Sequence, residues 1–191
     1  MISIIIPTLG NFDVNNLKHQ IVDNSENIKF EIIFCIPKKN FSKLTKLLKY
    51  KNIRIVRSKN YNQVRQRLEA VKYARYNFIL QLDDDIILRK FFLTKIYKSS
   101  KNLGNKFCLS PIFRDVVTKK IIYKKHSFLS KLFYKIIFQI DIDKNYGKLT
   151  SFGLAVDFSP NSKNIDSVDW LPGGCMLTKK TYYKNINGNI F

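Results

Sequence analysis

Short apolar runs that alternate with helix-forming segments constrain this fold more than any other feature of the sequence. Residues 2–6, 30–36, 53–56 and 78–82 are rich in Ile, Val, Leu and Phe, and each run has the length of one strand. Apolar residues in the segments between them recur at three- and four-residue spacing, as in amphipathic helices. This order predicts an α/β fold with a mostly parallel sheet covered by helices on both faces.

Two predicted helices have candidate caps, Ser42 and Asn62, and a third covers residues 14–22. A further helix, around Leu93, follows the fourth strand. The second half of the chain is less regular. Its predicted elements are a strand over 107–110, a helical stripe over 129–140, an extended segment over 150–158, a polar loop over 159–167 and a strand over 175–178.

Composition limits the classes of function. The 191 residues suit one domain, and 34 Lys and Arg against 14 Asp and Glu give a net charge of +20. Such a charge attracts polyanions. Its origin has an alternative explanation, because the codon bias of an AT-rich genome would also produce a lysine-rich chain. The three cysteines have no CxxC spacing, which is typical of reduced thiols in a cytoplasmic protein. No apolar run approaches the roughly 20 residues of a transmembrane helix, so any membrane contact is expected to be peripheral.

The helical stripe over 129–140 allows two interpretations. Lys124, Lys125, Lys131 and Lys135 lie near or on it. The first interpretation is a core helix with its lysines on the solvent face. The second is a helix that lies on an anionic membrane surface at the inner face of the membrane.

Three aspartates, Asp83, Asp84 and Asp85, follow the uncharged strand over 78–82 directly. Ligands of open α/β sheets bind beyond the carboxyl ends of the strands. Adjacent carboxylates repel each other unless a cation lies between them, and Mg²⁺ or Mn²⁺ takes oxygen ligands of this kind. The alternative is a solvated acidic turn, but its position after a buried strand favours a ligand site.

Three segments in this order resemble glycosyltransferase family 2, whose members are inverting enzymes with the GT-A fold. Residues 3–8 (SIIIPT) resemble the opening strand of that family, and residues 63–85 resemble its arginine-bearing helix and the strand that ends in the DxD motif. Residues 168–177 (VDWLPGGCML) resemble the W-x-x-G-G turn beside the acceptor. The resemblance implies one domain over 1–191, with a nucleotide-sugar half over 1–100 and an acceptor half over 101–191.

The resemblance also implies roles for individual residues. Pro7 and Thr8 would border the base and ribose, and Arg67 would lie near the nucleotide crevice. Asp83 and Asp84 would contact the donor, a nucleoside-diphosphate sugar. Asp83 and Asp85 would hold a divalent metal, Mg²⁺ or Mn²⁺. Trp170, Gly173 and Gly174 would shape the pocket for a glycan or lipid-linked acceptor.

Two features depart from the family pattern. The second strand ends in Cys35, Ile36 and Pro37 without the carboxylate that holds the base and ribose in the family. The acidic E-D motif, which normally supplies the catalytic base, is expected about where the sequence ends at 187–191. Asp169 is the nearest carboxylate to the acceptor turn and is the candidate base in its place.

The resemblance therefore implies a glycosyltransferase that serves cell-surface polysaccharide synthesis, and the cysteine pattern is typical of a cytoplasmic protein. One alternative is an inactive GT-A remnant that binds nucleotide without turnover. Another is a basic module that binds nucleic acid, which the charge suggests, although no nucleic-acid motif is present.

Overall fold

The computed structural model describes residues 1–104, 106–122, 126–151, 153–158 and 165–185. The expected polar loop at 159–167 lies mostly outside these ranges, as do Lys124, Lys125 and the segment at 187–191. The chain forms two compact units, which are Met1–Pro111 with Gly173–Phe191, and Ile112–Pro172.

Within its described residues, the first unit contains a six-stranded sheet and three α-helices. Its strands are β1 (Ile2–Pro7), β2 (Phe30–Pro37), β3 (Ile53–Ser58), β4 (Phe78–Leu82), β5 (Cys108–Leu109) and β6 (Cys175–Lys179). Its helices are α1 (Val14–Asp23), α2 (Gln63–Lys72) and α3 (Phe92–Lys101), with 3₁₀ helices at Lys38–Lys49 and Lys180–Asn185.

The strands lie in the order β3-β2-β1-β4-β6-β5. Strands β1 to β4 are parallel, with Ile5 opposite both Ile33 and Gln81. The last two strands are antiparallel to their neighbours, with Leu82 opposite Cys175. This sheet confirms the predicted fold class, a mostly parallel α/β sheet flanked by helices.

The core lies on both faces of β1, β2 and β4. Every residue of β1 is buried, and Ile33, Ile79 and Leu80 are fully inaccessible. Strands buried on both faces need continuous apolar runs, which is why these segments do not alternate between apolar and polar residues. The only charged residue in these runs, Glu31, accepts hydrogen bonds from Ser3 Oγ and from the Arg75 backbone N–H, both at 2.6 Å.

One prediction about local structure is wrong, and another holds only in part. Ser42 does not cap an α-helix, because a 3₁₀ helix already begins at Lys38, directly after Pro37. Because a 3₁₀ helix has three residues per turn, Leu44 and Leu47 lie on its buried face and Leu48 is exposed to solvent. The segment 150–158 is extended only in part: a 2.8 Å backbone hydrogen bond between Thr150 and Leu154 closes a turn, and Ala155 then pairs with Leu149 in an antiparallel bridge. Gly153 supplies the positive φ, +75°, that this turn requires.

The second unit contains α4 (Phe128–Ile137) and a 3₁₀ helix at Ile142–Lys144. Helix α4 confirms the predicted helical stripe, but none of its residues is buried. The interpretation as a core helix is therefore wrong. Within the described ranges, no helix has both the length and the hydropathy to cross a bilayer.

Candidate active site

The candidate site lies where the carboxyl ends of β1 and β4 meet. The chain passes from β1 to β2 and β3 on one side of the sheet and returns through α2 to β4 on the other side. The strand order reverses between β1 and β4, and open α/β sheets bind ligands in the crevice at such a point. Thr8 follows β1 here, and the aspartate triplet follows β4.

Thr8 connects the ends of three strands. Its hydroxyl donates to the Asp84 carboxylate and accepts from the Gly10 backbone N–H at 2.9 Å. Its own backbone N–H donates to the Cys35 carbonyl at 2.9 Å. The side chain is buried, so the Thr8–Asp84 contact fixes the edge of the crevice.

Asp83 is held by α2. Arg67 Nη2 forms an ion pair with Asp83 Oδ1, and Gln63 Nε2 donates to the same oxygen at 3.1 Å. Gln63 and Arg67 are four residues apart and therefore share one helix face. The helix is positioned by Asn62, whose side chain accepts from the Arg65 backbone N–H and caps its first turn as predicted.

Burial is the largest influence on the pKa of two carboxylates of the triplet, Asp83 and Asp84. It raises the pKa of Asp83 above its ordinary value, while Arg67 opposes that rise, and Asp85 and Asp84 add to it. Burial also raises the pKa of Asp84, against the hydrogen bond from Thr8. Asp85 is exposed. A cation here would favour the ionised carboxylates, because it offsets both the desolvation and the mutual repulsion.

The carboxylate oxygens at this site suit a divalent metal. The protein would supply only some of the metal's ligands. No group of three or more His, Cys, Asp or Glu side chains in the described part of the chain converges as a metal centre. Both hydrogen bonds to Asp83 end on Oδ1, so a metal would use its Oδ2 together with the exposed Asp85. Mg²⁺ commonly takes one or two carboxylates and fills its other positions with phosphate oxygens and water.

Arg67 has a further donor for an anion. Its Nε is buried and has no hydrogen-bond partner among the described residues. A buried donor without a partner costs about 1–3 kcal/mol. A phosphate or carboxylate oxygen of a ligand would satisfy it.

The glycine pair lies against this same ion pair. The Asp83 backbone N–H donates to the Gly174 carbonyl at 2.8 Å. A Cβ added at Gly173 would lie 3.9 Å from Arg67 Nη1. The structure thus brings eight of the predicted site residues to one edge of the sheet: Pro7, Thr8, Arg67, Asp83, Asp84, Asp85, Gly173 and Gly174.

Asp169 and Trp170 belong to the second unit. Asp169 accepts hydrogen bonds from the Leu149 backbone N–H at 3.0 Å and from Lys148 Nζ at 3.1 Å, and both lower its pKa. Trp170 Nε1 donates to the Val156 carbonyl at 3.1 Å. The roles assigned to Asp169 and Trp170 remain predictions.

Sequence reasoning missed a cavity beside Arg67. It has a volume of about 290 Å³ and lies between α2, β4 and β6. Gln81 Nε2 donates to the Tyr183 hydroxyl at its wall. No local pattern marks Gln63, Gln81 or Tyr183, because their partners lie far away in the sequence. The lining residues are Val64, Arg67, Leu68, Gln81, Cys108, Met176, Thr178, Tyr182 and Tyr183.

Comparison with known families decides the assignment. Residues 3–155 match the family described as Glycosyl transferase family 2, which covers most of the chain. The chain belongs to glycosyl transferase family 2. The match to this glycosyltransferase family includes Pro7, Thr8, Arg67 and the aspartate triplet, and it ends before Asp169 and the glycine pair.

Solved structures similar to this family 2 chain include three of TarS from S. aureus. TarS 1-349 is 15% identical with a TM-score of 0.44, and the match covers 60% of this chain and 40% of that one. A second TarS structure is 17% identical with a TM-score of 0.41, covering 52% and 19%. TarS 1-349 in complex with UDP is 19% identical with a TM-score of 0.38, covering 52% and 32%. The chain thus spans less than half the length of each. None of the curated proteins matches it significantly.

Proposed function

We propose that this chain binds a nucleoside-diphosphate sugar at the ends of β1 and β4 and transfers the sugar, with inversion, to a glycan or lipid-linked acceptor. Membership of family 2 indicates a nucleotide-sugar glycosyltransferase. The observation that carries the donor site is the meeting of two pairs, Thr8 with Asp84 and Arg67 with Asp83, at the point where the strand order reverses. In this proposal the enzyme lies in the cytoplasm and contributes to the synthesis of a cell-surface polysaccharide.

The donor would contact residues on both sides of the crevice. Pro7 and Thr8 would border its base and ribose, and Asp83 and Asp84 would orient it. The end of β2 offers no carboxylate for the base, so backbone groups near Cys35 and Pro37 would do this work. Arg67 would present its Nε to the anionic part of the donor.

Asp83 and Asp85 would hold the divalent metal, Mg²⁺ or Mn²⁺. When bound, such an ion supplies Lewis-acid stabilisation of the negative charge on the departing diphosphate. The protein's own contribution is to fix Asp83 through Arg67 and Gln63, so that the orientation of this carboxylate is set before ligand arrives.

In this proposal Trp170, Gly173 and Gly174 would shape the acceptor pocket, and Asp169 would act as the base. An inverting transfer needs a carboxylate to remove the acceptor's hydroxyl proton. Asp169→Asn should abolish transfer while donor binding persists. Equal transfer rates in Asp169→Asn and the wild type would remove Asp169 from the mechanism.

A second candidate is donor binding without turnover. The hydrogen bonds that lower the pKa of Asp169 favour it, because they make this carboxylate a weak base. Release of nucleoside diphosphate from the donor, lost in Asp85→Ala, would rule this candidate out.

Thermal unfolding with a panel of UDP, GDP and dTDP sugars, with and without Mn²⁺, tests the proposed donor site. A ligand at 100 times its Kd stabilises the folded state by about 2.7 kcal/mol, so the correct nucleotide should raise Tm by several degrees. A folded protein whose Tm responds to none of these donors in Mn²⁺ would contradict the proposal.

A further inference from the structure

Helix α4 of the second unit exposes an apolar face. Six of its ten residues are apolar and exposed, and none of the ten is buried. A normal surface helix turns such a stripe toward the core. The exposed fractions are 79% for Phe128, 75% for Leu129, 42% for Leu132, 54% for Phe133, 65% for Ile136 and 55% for Ile137.

The helix is oriented with its polar side inward. At about 100° per residue, the six apolar side chains fall within one half of the helix circumference. Ser130, Lys131 and Tyr134 fall in the other half and are partly buried. Lys131 Nζ binds the Asp143 carboxylate at 2.8 Å, and the Tyr134 ring lies 5.3 Å from the His126 ring. The polar half of α4 therefore makes these contacts with the rest of the second unit. The apolar half remains exposed and is available to a partner.

Charge decides between the possible partners. The chain carries a net charge of +20, so a second copy would meet electrostatic repulsion at close approach. An anionic bilayer attracts the same charge and also takes up apolar side chains. Lys135 is exposed and borders the apolar half beside Phe128, where a lysine can reach lipid headgroups while its neighbours enter the acyl region.

We propose that α4 lies in the plane of an anionic bilayer, with its apolar half inserted and Lys135 at the headgroups. A ten-residue helix is about 15 Å long, so its insertion alone gives weak, reversible binding. The positive charge of the chain adds the second contribution that stable peripheral binding requires. This surface is separate from the residues of the donor site and does not depend on the proposed transfer.

Flotation of the full chain with vesicles tests this proposal. The probe is a vesicle of phosphatidylcholine with about one-third phosphatidylglycerol, which supplies both an acyl region and negative charge. The test variant is Leu129→Glu with Ile136→Glu, at the centre of the apolar half. The matched control is Val22→Glu with Leu48→Glu, which makes the same change in charge and apolarity at side chains that are 47% and 53% exposed on the first unit.

The wild type and the control should float, and the α4 variant should lose at least about tenfold in vesicle partition. Circular dichroism should show equal helix content in all three proteins, because the substituted side chains are exposed. A wild type that stays in the dense fraction, or an α4 variant that floats as well as the control, would overturn the proposal. A dimer on size exclusion that only the α4 variant splits, without flotation of the wild type, would assign the surface to a second copy instead.

Discussion

Asp83, Asp84 and Asp85 are adjacent in the sequence but differ in environment. Asp83 pairs with Arg67, Asp84 accepts from Thr8, and Asp85 is exposed. The sequence predicts that a cation-binding group stands here, because three carboxylates end a buried strand. It does not predict which oxygen is occupied, because the partners come from other elements and are fixed only by the packed sheet.

At the residue scale, Arg67→Met should lower the free energy of unfolding by about 2 kcal/mol, because Asp83 keeps its partly buried charge without its strongest partner. Urea denaturation at neutral pH measures this. Arg65→Met is the matched control, since Arg65 is exposed on the same helix, and its cost should stay within about 0.5 kcal/mol. Equal losses in the two variants would contradict the assigned role of the ion pair.

The pH dependence of Asp84→Asn tests the buried carboxylate. Burial raises the pKa of Asp84 in the folded protein above its ordinary value of 3.8, so the folded state binds this proton more tightly than the unfolded state. Ionisation of Asp84 therefore lowers the stability of the wild type as pH rises from about 3.8 through the raised pKa. The Asn variant has no carboxyl group at this position and does not show this loss. The stability of the variant relative to the wild type should rise across that window and then level off. A relative stability that falls with rising pH would show that the Thr8 hydrogen bond outweighs burial.

At the element scale, the sequence predicts best where one interaction dominates. Continuous apolar runs predicted the strands of the sheet, and Asn62 predicted the start of α2, because burial and capping are local in sequence. The predicted α-helix with Ser42 as its cap is wrong, because a 3₁₀ helix already begins at Lys38, directly after Pro37. The prediction of one extended segment over 150–158 holds only in part, because Gly153 at positive φ closes a turn before Ala155 pairs with Leu149.

Asn62→Ala should cost about 1 kcal/mol of stability, since the first turn of α2 loses its side-chain acceptor. Asn62→Asp should restore most of that loss, because aspartate caps as well as asparagine does. Chemical denaturation of the three proteins measures both effects. An Asp variant no more stable than the Ala variant would mean that the cap is not what stabilises this turn.

At the scale of the whole molecule, the site depends on contacts that no local pattern encodes. The Gln81–Tyr183 hydrogen bond joins residues 102 positions apart, and Asp83 meets Gly174 across the β4–β6 pair. The ordered motifs indicated that these segments belong together. Their register, and the cavity beside Arg67, follow only from the antiparallel pairing of β6 with β4.

The backbone amides of the two units should differ in their rates of hydrogen exchange. The first unit has a continuous core in β1, β2 and β4, whereas Ile142 and Val156 are the buried apolar residues among the described part of the second. Backbone amides exchange slowly where burial is dense, so peptides from these three strands should be the most protected. Mass spectrometry of peptides covering 126–151 should show faster exchange. Equal protection of both sets would contradict this difference in core.

Calorimetric titration of the nucleoside diphosphate identified by the thermal panel tests the central claim, a donor site at the aspartate triplet. Binding to the wild type should require Mn²⁺ or Mg²⁺ and should weaken at least about tenfold in Asp85→Ala, which removes an exposed carboxylate proposed to hold the metal. Asp23→Ala, an exposed carboxylate at the last residue of α1, should bind as the wild type does. Metal-independent binding of equal affinity in all three proteins would contradict the account.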